Sequence, residues 1–248
     1  MKLLVLFVLL FAFCYHTNSQ IINIESKRMR TDTTGWAGEA SIKLDVVKYN
    51  DYIINLGISS HLQYKHQKYI GHILSDYILV KSAGTHLINT GYLHFRFGYK
   101  IIPLLTWEIF TQGQFNKILD VGFRGLIGTG PRFKIYDSDN FRVYAGIDYM
   151  YEYEENNSKT IYHRDHRSSN YLTFTIDFKR FVFTHTTYYQ PLFKLLKDYM
   201  FASQSRIAVK IFKGLSFTAE FNYRYDSNPE PTIPRSTYVV TNGISLSF

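Results

Sequence analysis

Between Tyr92 and Lys134 the chain alternates apolar and polar residues through three consecutive runs. Leu93, Phe95, Phe97 and Tyr99 are separated by His94, Arg96, Gly98 and Lys100. Leu105, Trp107, Ile109 and Phe115 stand opposite Glu108, Gln112, Gln114 and Asn116. Leu119, Val121, Phe123, Ile127 and Phe133 oppose Asp120, Arg124, Arg132 and Lys134. A period of two predicts β-strands, because successive side chains of a strand point to opposite faces. A soluble sheet would bury the apolar face and wet the polar one, whereas a transmembrane barrel shows its apolar face to lipid and its polar face to the lumen.

The same rhythm runs through the rest of the chain. It predicts strands over Trp36–Val47, Ile54–Tyr64 and Tyr69–Val80 before the central block. After it come Phe141–Tyr151, Leu172–Phe178, Phe181–Gln190, Tyr199–Ile211, Leu215–Tyr225 and Tyr238–Phe248. The total of about twelve, each near the 9–11 residues that a tilted strand needs to cross a bilayer, favours a barrel. Predicted turns at one end are short: Lys100–Pro103, Tyr136–Asn140, Lys179–Arg180 and Phe212–Gly214. Those at the other end include longer loops, Glu154–Arg167, Pro191–Asp198 and Asp226–Arg235, beside a tight turn at Asn116–Ile118. Short periplasmic turns and long external loops are the asymmetry of outer-membrane barrels.

The N-terminus adds an export signal. Met1-Lys2 precedes the apolar run Leu3–Phe13, which is shorter than the roughly 20 residues of a spanning helix, and Thr17-Asn18-Ser19 suits signal-peptidase cleavage. The expected organisation is a signal peptide over 1–19, a short periplasmic segment over 20–35 and a barrel over 36–248. Cys14 is the only cysteine and Phe13 before it argues against lipidation, so the mature chain would hold no disulfide or thiol chemistry. Tyr and Phe, 21 and 20 copies, suit aromatic belts at both membrane interfaces. The net charge of +8 favours anionic partners, and export turns that preference away from nucleic acid towards lipopolysaccharide and anionic solutes. The terminal Phe248, closing an alternating aromatic-rich strand, has the form read by the machinery that inserts barrels into outer membranes.

Leu93–Tyr99, Trp107–Asn116 and Arg124–Arg132, with His163-Arg164, Ser168–Leu172, Tyr188–Pro191 and Asp226–Pro229, resemble a family of uncharacterised Gram-negative outer-membrane barrel proteins. One of its members is described as a salt-induced outer membrane protein. The resemblance spans most of the mature chain and implies an all-β, antiparallel, up-and-down transmembrane barrel in the outer membrane. It brings no established substrate or activity.

The candidate functional residues lie on the polar face of the central strands: Arg96, Glu108, Gln112, Gln114, Asp120, Arg124 and Arg132. Arg96 and Glu108 fall on strands joined by a short turn, so they are expected to pair. These side chains either brace a filled barrel or line a narrow pore whose weak selectivity follows from a nearly balanced set of lumen charges. No cofactor, metal or catalytic group is assigned. A lipid-modifying hydrolase using His166 and Ser168 on the outer wall is one alternative. A secreted β-protein that binds an anionic polymer is another. Gly128-Thr129-Gly130 sits in a predicted strand without a following helix, so a close contact within the sheet explains it better than a nucleotide-binding turn.

Overall fold

The computed structural model describes residues 23–28, 34–48, 52–82, 88–117, 120–160, 162–229 and 235–248. The predicted signal peptide and Cys14 lie outside them. Twelve strands form one closed antiparallel barrel in which each strand pairs with its neighbours in sequence, and the last with the first. They are β1 (Gly35–Lys48), β2 (Tyr52–His66), β3 (Tyr69–Ser82), β4 (Ile88–Ile102), β5 (Leu105–Asn116) and β6 (Val121–Asp137). β7 (Phe141–Asn156), β8 (Tyr162–Asp177), β9 (Phe181–Leu192), β10 (Leu195–Phe212), β11 (Leu215–Asp226) and β12 (Ser236–Ser247) complete the wall.

Side-chain polarity is inverted relative to a soluble protein. Leu93, Phe95, Phe97, Trp107, Ile109 and Ile127 are exposed on the outer wall, while His94, Arg96, Glu108, Gln112, Gln114 and Arg124 are buried inside. That is the arrangement of a barrel solvated by hydrocarbon. Exposed aromatic residues gather where strands begin and end. At the end where β1 begins and β12 finishes, Trp36 packs near Tyr64 (4.7 Å between centroids), Tyr69 near Tyr99 (5.2 Å) and Phe178 near Phe181 (4.8 Å). Tyr77, Phe123, Tyr162, Phe193 and Tyr238 stand exposed towards the opposite end.

The connections differ from the expected ones. Glu154–Arg167 and Pro191–Asp198 were predicted as long loops, yet β7 runs to Asn156, β8 starts at Tyr162, and β9 and β10 enclose only residues 193–194. The reason is that Glu154, Arg167 and Asp198 of these stretches find partners of opposite charge inside the barrel. Arg167 pairs with Glu152 at 3.1 Å and with Asp198 at 3.1 Å, and Arg124 with Glu154 at 3.3 Å. Connections at the end where β1 begins are confined to 67–68, 103–104, 138–140, 178–180 and 213–214.

Strand phase breaks once in the central block. A register irregularity between Val121 and Phe123 turns Val121 inward while Phe123 points out, so the two do not share a face as the alternation predicted. Asp120 precedes this bulge, outside β6. It is exposed with φ of 57°, and its Oδ1 accepts from the Asn157 backbone N–H at 3.2 Å.

Gly130 is a close contact within the sheet. A Cβ there would collide with the Ile147 carbonyl and lie 2.5 Å from Asp148 Oδ1. We expect Gly130→Ala to lower stability by about 1–3 kcal/mol, the usual range for overpacking, in urea unfolding from lipid. Gly71→Ala, with nothing within 4 Å of its Cβ position, should be close to neutral. Equal midpoints for the two variants would show that the wall yields at Gly130.

Candidate functional site

The inward faces converge on the barrel axis, and the N-terminal segment joins them there. Residues 20–35 were expected outside the membrane. Of these, Asn23, Ile24, Glu25 and Ser26 are buried, in a turn inside the lumen closed by Lys27 N–H to Ile24 C=O at 2.9 Å and Arg28 N–H to the same carbonyl at 3.1 Å. The physical reason lies in barrel width. Eight strands can be filled by side chains, and larger barrels leave space that something must occupy. Here the chain's own leader enters that space.

Glu108 is the junction between wall and segment. Arg96 of β4 donates to its Oε2 at 2.7 Å, and Arg28 donates to both of its oxygens at 2.7 and 2.8 Å. Arg28 also pairs with Glu25 at 2.6 Å, and Arg132 of β6 grips Glu25 through two donors at 3.1 and 2.8 Å. Arg96 lies 3.5 Å from Asp148 and over the Phe110 ring at 4.4 Å; Arg132 lies over Tyr144 at 3.7 Å. Bidentate guanidinium–carboxylate pairs fix geometry as well as charge. Burial alone would raise the Glu25 carboxyl, yet Arg132 and Arg28 outweigh it and hold its pKa at about 2. Its contribution to seating the segment is therefore complete above about 4.5, its ordinary value, and is lost as pH falls through about 2.

Two more networks brace the wall. On the opposite side, Arg206 pairs with Glu39 at 2.7 Å and Glu220 at 3.2 Å, and Lys27 of the segment approaches the same carboxylates at 3.8 and 3.6 Å. Towards the far end, Glu152 holds Arg124 at 2.7 Å and Arg167 at 3.1 Å. Between these levels lies a layer with little charge. Gln112 accepts from His94 Nδ1 at 2.9 Å through its amide oxygen and donates to Gln114 at 2.6 Å, beside the cluster Phe110, Leu126 and Met150.

Of the seven residues read from the sequence, six project into the lumen. Arg96, Glu108 and Arg132 join one network with the segment, Arg124 belongs to the far one, and Gln112 and Gln114 lie between. Asp120 does not take part, because the bulge leaves it in the turn. Sequence reasoning missed Glu25 and Arg28, whose acidic–basic spacing was the available signal, and also Glu39, Arg167 and Arg206. Arg167 was hidden by its assignment to a loop and Arg206 by the blurred alternation of β10. On the outer wall, His166 bonds the Tyr149 hydroxyl through Nδ1, and Ser168 donates to Asn170 Oδ1 at 3.1 Å. Serine and histidine are thus engaged elsewhere and do not form a nucleophile–base pair.

The chain matches a protein family described as being of unknown function, DUF481, over residues 29–244. No curated protein matches it in sequence. Among solved structures, an outer membrane channel from Pseudomonas putida F1 superposes with a TM-score of 0.54 at 8% identity, covering 92% of this chain and all (100%) of the other. The NanC porin gives 0.48 at 11% identity over 85% of this chain and 97% of that one. The KdgM porin gives 0.46 at 11% over 86% and 99%. At these identities the likeness concerns the fold.

Removing the junction should release the segment. Glu108→Ala leaves Arg28 with Glu25 and Arg96 with Asp148 but removes the carboxylate that joins the two arginines, and should loosen the segment by about 3 kcal/mol, seen as tryptic cleavage at Lys27 or Arg28 at least ~10-fold faster than in the parent. Unchanged cleavage would show that wall and segment are not coupled through Glu108.

Proposed function

We infer that this chain, which belongs to the DUF481 family of proteins of unknown function, is an outer-membrane channel for small solutes or ions that its own residues 23–28 hold shut. The observation that carries this reading is the charged segment seated in the lumen through Glu108, Glu25 and Arg132. A purely structural barrel needs only a filled interior, which apolar residues could supply. This one is filled by a separate stretch of chain held through ion pairs, contacts that can exchange for water and salt.

Outer-membrane residence is supported by the inverted polarity, the aromatic girdles and the short turns at the end where β1 begins, which would face the periplasm. Lipids and lipopolysaccharide would surround the apolar belt. Phe248 supports contact with the insertion machinery: its backbone exchanges hydrogen bonds with Gly38 at 2.9 and 3.0 Å while its side chain stays exposed. The reading is non-enzymatic, in keeping with the separate engagements of Ser168 and His166. Lysines and arginines of the lumen are matched by carboxylates, so selectivity between anions and cations should be slight.

Single-channel recording in planar bilayers under a potassium chloride gradient tests this. The intact protein should show rare, brief openings. Glu25→Gln with Arg28→Gln should raise the open fraction, and a variant lacking residues 20–28 should conduct steadily with a reversal potential near zero. A correctly inserted deletion variant that stays silent would sink the channel reading and leave a structural barrel.

A further inference from the structure

The lipid-facing wall is not apolar all round. On β8, β9 and β10 the outward residues midway along the strands are Ser168, Asn170, His185, Thr187, Ser203 and Ser205, each partly exposed. Their neighbours in the chain turn inward: Ser169, Thr184, Thr186, Tyr188, Ala202 and Arg206 are buried. Register gathers the six. Thr187 faces Ser203 and His185 faces Ser205 across β9 and β10, while Asn170, paired with Tyr189, lies diagonal to Thr187. Apolar side chains bound the patch along the strands. Phe183 and Ile207 pair towards the end where β1 begins, and Tyr189 and Phe201 pair towards the other. The patch therefore lies within the height that hydrocarbon covers, not at a head-group level. On β4 to β7 the outward positions are instead Phe95, Phe97, Ile109, Ile127 and Ile147.

Outward hydroxyls on β5 and β6 are settled within the wall. Thr111 donates to the Leu126 carbonyl at 3.1 Å and Thr129 to that of Glu108 at 2.9 Å. The patch on β8 to β10 is settled only in part. Asn170 donates to the Tyr189 carbonyl at 3.2 Å. His185 Nδ1 lies 2.8 Å from Ser205 Oγ, and its Nε2 lies 3.2 Å from Thr187 Oγ1. A neutral imidazole has one bare nitrogen and one N–H, so one of these hydroxyls donates to the ring and the other accepts from it. The accepting hydroxyl keeps a proton with no acceptor among the described residues, and the Ser203 hydroxyl has no partner there either. Polar groups turned towards hydrocarbon are costly, and where they persist they mark contacts or function. Association within a membrane draws on close packing of small residues and on hydrogen bonds between them, as helix pairs show. Ser203, Ser205 and Thr187 offer both.

We propose that the outward face of β8 to β10 is a docking surface for a second copy of this chain, related to the first by a twofold axis along the membrane normal. The occupant follows from depth and from complementarity. A partner must present polar groups at the same height within the hydrocarbon, and a second copy inserted in the same orientation does so by construction. A twofold contact sets the patch against itself. Its serine and threonine hydroxyls each donate and accept, and His185 offers one of each, so the patch complements itself without any charge to oppose the pairing. A strongly charged partner would find nothing there to neutralise. The inference goes beyond the channel reading: it rests on the wall lying in a membrane and stands whether or not the lumen conducts.

Cross-linking in phosphatidylcholine vesicles, at high dilution of protein in lipid, tests the surface. In a Cys14→Ser background, Ser203→Cys puts a thiol in the patch, and Ile73→Cys puts one on the outward face of β3, across the barrel from β9. A short, membrane-permeant bis-maleimide should link Ser203→Cys into dimers at least ~10-fold faster than Ile73→Cys, because only the first lies at the contact. Equal rates at the two positions would overturn the proposal. Sedimentation equilibrium in density-matched detergent supplies a second reading. Ser203→Leu breaks no bond within the wall and leaves the barrel folded, yet its bulk should raise the dimer dissociation constant at least ~10-fold. A parent protein that stays monomeric at every concentration would leave the patch to lipid or to another protein and would sink the proposal. So would a Ser203→Leu variant that dimerises as tightly as the parent.

Discussion

The Glu108 carboxylate, almost fully buried between Arg28 and Arg96, is the interaction on which the interior depends. A charge at that depth is tolerated only with close partners of opposite sign, and Glu108 has one from the wall and one from the inserted segment. Satisfying it therefore welds two parts of the chain that have no backbone pairing with each other. Glu25 repeats the device with Arg132 and Arg28, so the segment is held at two carboxylates that share one arginine. Hydrocarbon outside supplies the complementary constraint: every charge must turn inward, and the lumen must then neutralise them all.

That constraint explains why the barrel was legible in the sequence. Leu93-His94-Phe95-Arg96-Phe97 reads as a strand with one oily and one charged face, and the strand count, the unequal turns and the export signal, with the Tyr and Phe content in keeping, pointed the oily face to lipid. Pairing of Arg96 with Glu108 followed from their places on adjoining strands. Loop lengths were not legible, because Glu154–Arg167 carries the composition of a solvated loop and only the lumen partners Arg124, Glu152 and Asp198 make it strand. Asp120 was misplaced by a bulge that alternation cannot register. The fate of residues 23–28 was hidden for a different reason: a short polar segment reads the same in water as inside a charged lumen.

Gly128 and Gly130 show how a weak motif acquires meaning. Their side chains are absent where Phe110, Ile147 and Asp148 crowd the sheet, which lets Asp148 come within reach of Arg96. The glycines serve the charge network by making room for it. Pro131 between Gly130 and Arg132 interrupts the β6–β7 ladder at the same place, where the register passes from Thr129↔Tyr149 to Arg132↔Gly146.

The meeting of Gly38 with Phe248 also dictates an order of assembly. Joining the two ends of the barrel closes the longest loop in the wall, and loop-closure entropy places such a contact after the local hairpins have formed. Residues 23–28 precede β1 and lie inside the finished ring, seated through side chains rather than through the ladder that closes the wall. Phe248, through its two hydrogen bonds with Gly38, is thus a clasp that joins the ends of the wall.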